Sequence, residues 1–276
     1  MNKTIINFCP TGMVPTKAIT EHVPVQINEI IEQTHEANEI GITIAHLHAR
    51  NLDETPAYSI KVYQKIFKGI RKHYPGLVLC GTTSGRTHPK FEHRSQVIEL
   101  QPDMCSLTLS SLNFYSQAPV NNPNIIQQLA LKMKEYGVVP KLECFDLGII
   151  NYGKYLISKG IIVGPFYWNI LLNNIAGIQS NLSQIGAAVD SLPSKQYVSL
   201  AGLGKDQLKI NTIAIASNLG VRIGLEDNIW YNEARTKQAT NFDLLKRIHL
   251  LLDIFEKKYM PSKEFGQLGF YNRPKV

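Results

Sequence analysis

The stretch ANEIGITIAHLH, residues 37–48, holds a helix ending, a glycine and a β-branched apolar run in one phrase. A glycine after a helical pattern takes the left-handed conformation that stops a helix, and the run from Ile42 to Ala45 then reads as a buried strand. The phrase recurs as KEYGVVPKLECF (134–145), ISKGIIVGPF (157–166) and SNLGVRIGLED (217–227), with KHYPGLVLCGTT (72–83) as a variant. Three further strand patterns lie at TIINFCP (4–10), DMCSLTLSS (103–111) and QYVSLAG (196–202), which makes eight. Helical spacing separates them: Val62, Ile66, Phe67 and Ile70 share one face, as do Ile126, Leu129, Ala130 and Met133. A last helix over about 241–258 carries Leu244, Leu245, Ile248, Leu251 and Leu252. Eight strands alternating with helices predict an α/β fold, a (β/α)8 TIM barrel, with residues 1–276 as a single domain. An open doubly wound sheet is the alternative, but no GxGxxG follows the first strand.

Composition narrows the class. The 276 residues are 44% hydrophobic and 18% charged, enough for a sizeable core. No window approaches the roughly 18 consecutive apolar residues of a membrane span, and MNKTIINFCPTG lacks the pattern of a signal peptide. A cytoplasmic protein is expected, with no membrane partner. Cys9, Cys80, Cys105 and Cys144 are widely spaced and form no CxxC pair, so they read as buried free thiols. The net charge of +7 is spread over helix faces. No basic run alternates with aromatics, which argues against a nucleic-acid partner. The excess could help attract an anionic substrate such as a nucleotide or a CoA ester.

Alternate residues of a strand share a face, and here one face of several strands is polar. The second strand offers His46 and His48; the fourth, Ser106, Thr108 and Ser110; the fifth, Lys141 and Glu143; the eighth, Arg222 and Glu226. The opposite faces are apolar and should pack on the helices, which turns the polar sides inward. Uncompensated polar groups in a core are costly, and a water-lined site at the C-terminal mouth of a barrel removes that cost. His46, His48, Glu226 and Asp227 all fall at C-terminal strand ends. Two histidines at i, i+2 and a carboxylate from another strand can converge on one ion, a set used by catalytic zinc and by non-haem iron. Metal hydrolases of the amidohydrolase type also need histidines from strands five and six, and this chain has none between His93 and His249. A Schiff-base role for Lys141 is not excluded, though an ion-pair role is as easily read.

With these residues placed, the chain resembles the β-keto acid cleavage enzyme family over nearly its whole length. The resemblance is carried by PTGMVPTK, VPVQINEI, AHLHAR, GTTSG, SLTLSSLNF, VVPKLECFDLG, AGLGK and VRIGLEDNIWY. It implies a barrel that assembles as a homotetramer and a Zn2+ ion held by His46, His48 and Glu226. It also implies a reaction in which a β-keto acid and acetyl-CoA give acetoacetate and a new acyl-CoA. Asp227, with Arg222 as its ion-pair partner, takes the general-base role. Thr82, Gly85, Ser106 and Thr108 map onto substrate contacts; Thr82 and Ser106 exchange Ser and Thr relative to the family's best-known member, and both keep a hydroxyl. Members that cleave an aminated keto acid carry an acid where this chain has Val14, so a substrate without the ammonium group is expected. Gly202, Gly204 and Lys205 follow strand seven, where barrels often bind phosphate; they face the CoA pyrophosphate or form a tight turn. The competing readings are a metal-dependent carbon–carbon lyase or aldolase working without CoA, and a catalytically idle barrel; the retained His46, His48, Arg222, Glu226 and Asp227 argue against the second.

Overall fold

A computed structural model of the chain describes residues 3–194 and 196–272. Eight parallel strands close into a barrel: β1 (Ile6–Phe8), β2 (Ile44–Leu47), β3 (Val78–Gly81), β4 (Met104–Thr108), β5 (Val139–Cys144), β6 (Tyr167–Leu172), β7 (Tyr197–Gly202) and β8 (Gly220–Ile223). Each strand pairs with its neighbours in sequence. β1 closes the ring by pairing with both β2 and β8, Asn7 lying opposite Ile44 on one side and Arg222 on the other. Helices α1 (Ile27–Ile40), α2 (Ile60–His73), α3 (Pro123–Glu135), α4 (Leu147–Ser158), α5 (Leu182–Asp190), α6 (Gln207–Ala216) and α7 (Asn241–Ile254) surround it. Between β3 and β4 the crossover is only a short helix, Phe91–Arg94, and a 3-10 turn, Gln96–Leu100. No helix among the described residues is long and apolar enough to cross a membrane.

The helix faces follow their sequence periods. Ile66, Phe67 and Ile70 of α2 are buried, as are Ile126, Leu129, Ala130 and Met133 of α3. α7 ends at Ile254 rather than 258, because Glu256 turns left-handed at φ 55°. The helix–glycine–strand phrase holds in part. Gly41, Gly137 and Gly160 take positive φ, but in SNLG the left-handed residue is Asn218, at φ 60°. Gly220 is needed for a different reason: a Cβ there would lie 2.2 Å from Ser199 Oγ in the next strand. The sixth strand is also displaced. IIVGPF is not a strand; residues 161–166 are irregular, with a cis Gly164–Pro165 bond, and β6 starts at Tyr167. Pro165 has no N–H to give a ladder, so pairing begins only beyond it.

The two barrel faces separate as their alternation requires. Leu79, Cys105, Leu107, Leu142, Trp168, Ile170, Leu200 and Val221 point outward into the main core under the helices. Inside, the N-terminal floor is a second apolar cluster of Ile44, Val78, Cys80, Met104 and Tyr167, capped by Phe265 and Phe270. The two phenylalanine rings stack at 4.0 Å, and Tyr167 and Tyr197 meet them edge-on. Above this floor the interior turns polar, and that layer leads to the mouth.

Candidate active site

His46 lies on the last turn of pleat in β2, and His48 just beyond the strand, so the i, i+2 spacing aims both imidazoles into the mouth. Their Nε2 atoms face each other at 3.1 Å. Glu226 arrives by a different route from the one the alternation of a strand implies. β8 stops at Ile223, and Gly224 bends the chain at φ 146°, where a Cβ would lie 2.0 Å from the Cys9 carbonyl oxygen. The Leu225 N–H then donates to Asn241 Oδ1 (3.0 Å), and the Glu226 N–H donates to the Cys9 carbonyl (3.2 Å). That turn sets Glu226 Oε1 3.2 Å from His48 Nε2, and Oε2 3.9 Å from His46 Nε2. Gly12 makes room on the other side: its φ is +63°, and a Cβ would meet Glu226 Cγ at 2.5 Å. Arg50 holds that loop by donating to the carbonyls of Gly12 and Pro15, each at 2.9 Å.

These three side chains suit a cation. One ligand atom from each of His46, His48 and Glu226 lies within 4.8 Å of the others. Glu226 Oε2 is buried and accepts no hydrogen bond among the described residues. Burial, then the Lys141 charge, holds His46 well below the usual imidazole range, so its lone pair is available without loss of a proton. Burial alone would raise the Glu226 carboxyl, but Arg222 and the two histidines pull it well below the ordinary range. Two imidazoles and a carboxylate are the donor set of a site for Zn2+ or Fe2+ with open positions.

Arg222 organises the acids beside that cluster. It donates to both oxygens of Asp227 (Nε–Oδ2 2.8 Å, Nη2–Oδ1 2.9 Å), and its Nη2 lies 2.8 Å from Glu226 Oε1. Its Nη1 reaches Glu143 Oε1 at 3.4 Å, and the fully buried Lys141 Nζ is 3.1 Å from the same oxygen. Lys141 is therefore an ion-pair partner, and the Glu143 charge outweighs burial to keep its amine above the usual value. Thr108 Oγ1 donates to Glu143 Oε2 (3.0 Å). Burial pushes the Asp227 carboxyl up, against the pull of Arg222. A buried carboxylate with a raised pKa, oriented at both oxygens, is equipped to take and return a proton.

A cavity of about 310 Å3 gathers most of the residues the sequence singled out. Val14, His46, His48, Thr82, Gly85, Thr108, Arg222, Glu226 and Asp227 all line it, with Val14 exposed at the rim. Ser106 sits behind the wall, accepting from the Thr83 N–H (3.2 Å), with its Oγ 3.4 Å from Thr82 Oγ1. It orients the turn that presents Thr82. Gly202, Gly204 and Lys205 do not line the cavity, though Leu203 between them does. Gly202 is closed against Asp206, whose carbonyl oxygen would be 2.6 Å from a Cβ; the Gly204 N–H donates to the Asp227 carbonyl (2.8 Å); and Lys205 is exposed. Alternation missed Arg86, Arg94 and Asn121, which also line the cavity. Arg94 and Arg86 lie in the β3–β4 crossover, outside any strand period. Their one sequence signal is a pair of arginines after a glycine-bearing strand end.

The comparisons with known proteins agree with this geometry. The model of the beta-keto acid cleavage enzyme family matches residues 3–268. The chain is 32% identical over 253 residues to the 3-oxoadipate:acetyl-CoA acetyltransferase of Cupriavidus necator, covering 90% of this chain and 88% of that protein. It is 29% identical to the 3-keto-5-aminohexanoate cleavage enzyme of Acetoanaerobium sticklandii, covering 97% and 94%. Among solved structures, the binary complex of ObcA with oxaloacetate superposes with a TM-score of 0.78 at 17% identity, over 92% of this chain and 68% of that one, a likeness of fold. Whole-chain agreement with the family model, on a closed barrel whose mouth joins the HLH and GLED segments, identifies this chain as a member of the β-keto acid cleavage enzyme family.

Proposed function

We propose that this family member is a zinc-dependent enzyme that exchanges acyl groups between a β-keto acid and acetyl-CoA, giving acetoacetate and a new acyl-CoA. The observation that carries the reading is Asp227, buried, raised in pKa and held by Arg222 in the same cavity as the His46–His48–Glu226 cluster. His46, His48 and Glu226 would hold the ion, which when bound polarises a carbonyl and stabilises developing negative charge. Asp227 then accepts the proton from the keto acid's α-carbon. Arg222 keeps that carboxylate aimed and, through Glu143, ties its position to Lys141. The Thr82 hydroxyl and the backbone at Gly85 would hydrogen-bond the keto acid's carboxylate, while the Thr108 hydroxyl, donated to Glu143, shapes the wall beside it. Leu112, Phe114, Val120 and Leu171 line the walls and keep water from the reacting carbons.

The resulting carbanion attacks the acetyl thioester and expels CoA thiolate. The thiolate adds to the original ketone carbon, the bond from that carbon to the α-carbon breaks to leave the new acyl-CoA, and the α-carbon takes back the proton from Asp227 as acetoacetate. The relatives' names supply the acetyl-CoA, as in the trimethylamine transferase of Rhizobium meliloti that acts on 3-dehydrocarnitine. Leu203 brings the Gly202–Lys205 turn to the rim, where the thioester arm would cross it. Val14 offers no charge to an ammonium group, so the substrate is a keto acid other than the aminated one. The same reading takes residues 1–276 as one cytoplasmic barrel domain, consistent with four free, buried cysteines. It takes the assembly as a homotetramer, for which exposed apolar side chains such as Tyr115 and Leu182 are available.

The test is acetoacetate release by purified protein from acetyl-CoA and a panel of β-keto acids. Asp227→Asn should lower kcat by about 10²–10⁴-fold while keeping stoichiometric zinc. His46→Ala should lose the metal. Cleavage without acetyl-CoA would favour a lyase, and retention of zinc by His46→Ala would sink the ligand assignment.

A further inference from the structure

We propose that Arg86 recognises a second anionic group on the substrate, remote from the reacting keto acid unit, so that the acid cleaved by this protein is a β-keto dicarboxylate. This rests on the reading of the cavity as a β-keto acid site and goes on to name the substrate class.

Three arginines line the cavity, and two are occupied. Arg222 is bound to Asp227, Glu226 and Glu143. Arg94 donates from Nε to the Thr83 carbonyl (2.8 Å) and from Nη1 to Asn121 Oδ1 (2.9 Å). Its guanidinium packs where a Cβ on Gly85 would come within 2.8 Å, so it braces the β3 loop. Arg86 is different. Its guanidinium carbon lies 3.5 Å above the centre of the Phe114 ring. Its Nε is buried and has no hydrogen-bond partner among the described residues, and none of the ion pairs there includes it. A half-buried guanidinium whose Nε has lost water without gaining an acceptor is an incomplete arrangement. Stacking on Phe114 holds the planar group in one orientation and leaves its N–H edge for a ligand.

The chemistry of that ligand follows from what else is present. A fixed guanidinium fork matches a carboxylate with two parallel hydrogen bonds. In the proposed function the keto acid's own carboxylate is met by the Thr82 hydroxyl and the ion that His46, His48 and Glu226 would hold, which leaves Arg86 for another. The side chains of Leu112, Val120 and Leu171 in the same cavity suit the methylene carbons of such an acid. Val14 adds no competing acid at the rim. The other anionic source is the phosphates of the thioester, and the experiment separates the two.

The comparison is kcat/KM for 3-oxoadipate against 3-oxohexanoate, equal in carbon number and differing in the terminal carboxylate, each with acetyl-CoA. The wild-type protein should favour the diacid by roughly 10- to 100-fold, the range of a charge-assisted hydrogen bond. Arg86→Leu should bring that ratio near one, mainly through KM of the diacid, and Arg86→Lys should restore part of it. An unchanged ratio in Arg86→Leu overturns the proposal, as does a rise confined to the KM of acetyl-CoA, which would assign the arginine to the phosphates. If the wild-type protein turns over neither acid nor any other member of the β-keto acid panel, the β-keto acid reading fails. Calorimetric binding of the two acids to zinc-loaded protein then still decides on Arg86: a diacid preference lost in Arg86→Leu supports it, and equal binding overturns it.

Discussion

Replacing Gly12 by alanine should weaken zinc binding at the proposed His46–His48–Glu226 site without altering a ligand. Two penalties arise there. The backbone is left-handed at φ +63°, which costs a non-glycine residue about 1–2 kcal/mol. The new methyl would also lie 2.5 Å from Glu226 Cγ and 2.9 Å from its Cβ. Carbon pairs settle at roughly 3.5–4.0 Å, so the Glu226 stem must retreat by about 1 Å. That motion carries the carboxylate away from His46 and His48 and away from Arg222. Disturbing the support of a metal ligand lowers affinity by about 10- to 100-fold. Gly204 supplies the control. It has the same backbone sign, φ +62°, but a Cβ there meets only Arg235 Nη2, at 3.9 Å. Gly204→Ala should therefore lose about 1–2 kcal/mol of stability and keep wild-type zinc affinity. Zinc affinity is read by chelator competition, and stability by urea denaturation of the metal-free proteins. Wild-type zinc binding by Gly12→Ala, or an equal loss in Gly204→Ala, would refute the reasoning.

Three other perturbations have defined outcomes. Arg222→Met removes the cation shared by Glu143, Glu226 and Asp227, and breaking such a buried cluster should cost about 3–5 kcal/mol in denaturant unfolding. Phe270→Ala opens the floor of the barrel, for a loss of about 3–5 kcal/mol by the same measurement; a loss under 1 kcal/mol would mean that the floor closes without it. Glu29 titrates on the surface: it accepts from the Val25 and Gln26 N–H groups and pairs with Lys17 at 2.9 Å. Burial opposes these contacts, but together they lower its carboxyl below the ordinary 4.5. A lowered folded pKa means that its stabilisation is complete above about 4.5 and fades as pH falls through the folded value. Glu29→Gln should melt earlier than wild type at pH 7, with the gap narrowing as the pH is lowered from 4.5; a gap that stays constant or widens over that descent would contradict the assignment.

Where function depends on a regular period, it was legible in the sequence. His46, Lys141, Glu143 and Arg222 point inward because β2, β5 and β8 are true strands, so alternation placed them correctly. Glu226 reached the site although that argument does not hold for it. β8 ends before it, and Gly224 and the Asn241 side chain determine its direction. The misplaced sixth strand has a similar cause: Gly160 does end a helix, but Pro165 delays pairing until Tyr167. Arg86 and Arg94 left only a faint signal, a pair of arginines after a glycine-bearing strand end, and Arg50 left none. Arg86 acts from irregular backbone, Arg50 from the two-residue strand Ala49–Arg50 and Arg94 from the four-residue helix Phe91–Arg94; elements this short carry no period, so which carbonyl each side chain meets is set by loop geometry and not by residue spacing.

The barrel floor bears on how the chain is made. Every side chain assigned to the candidate site precedes residue 228, yet Phe265 and Phe270, which seal the opposite opening, come dozens of residues later. During synthesis the reactive mouth can be assembled while the other end still admits solvent. The ribosome thus delivers the chemistry first and the stopper last. A chain released before Phe265 would carry every residue assigned to the site but lack the two rings that cover Ile44, Val78, Cys80, Met104 and Tyr167.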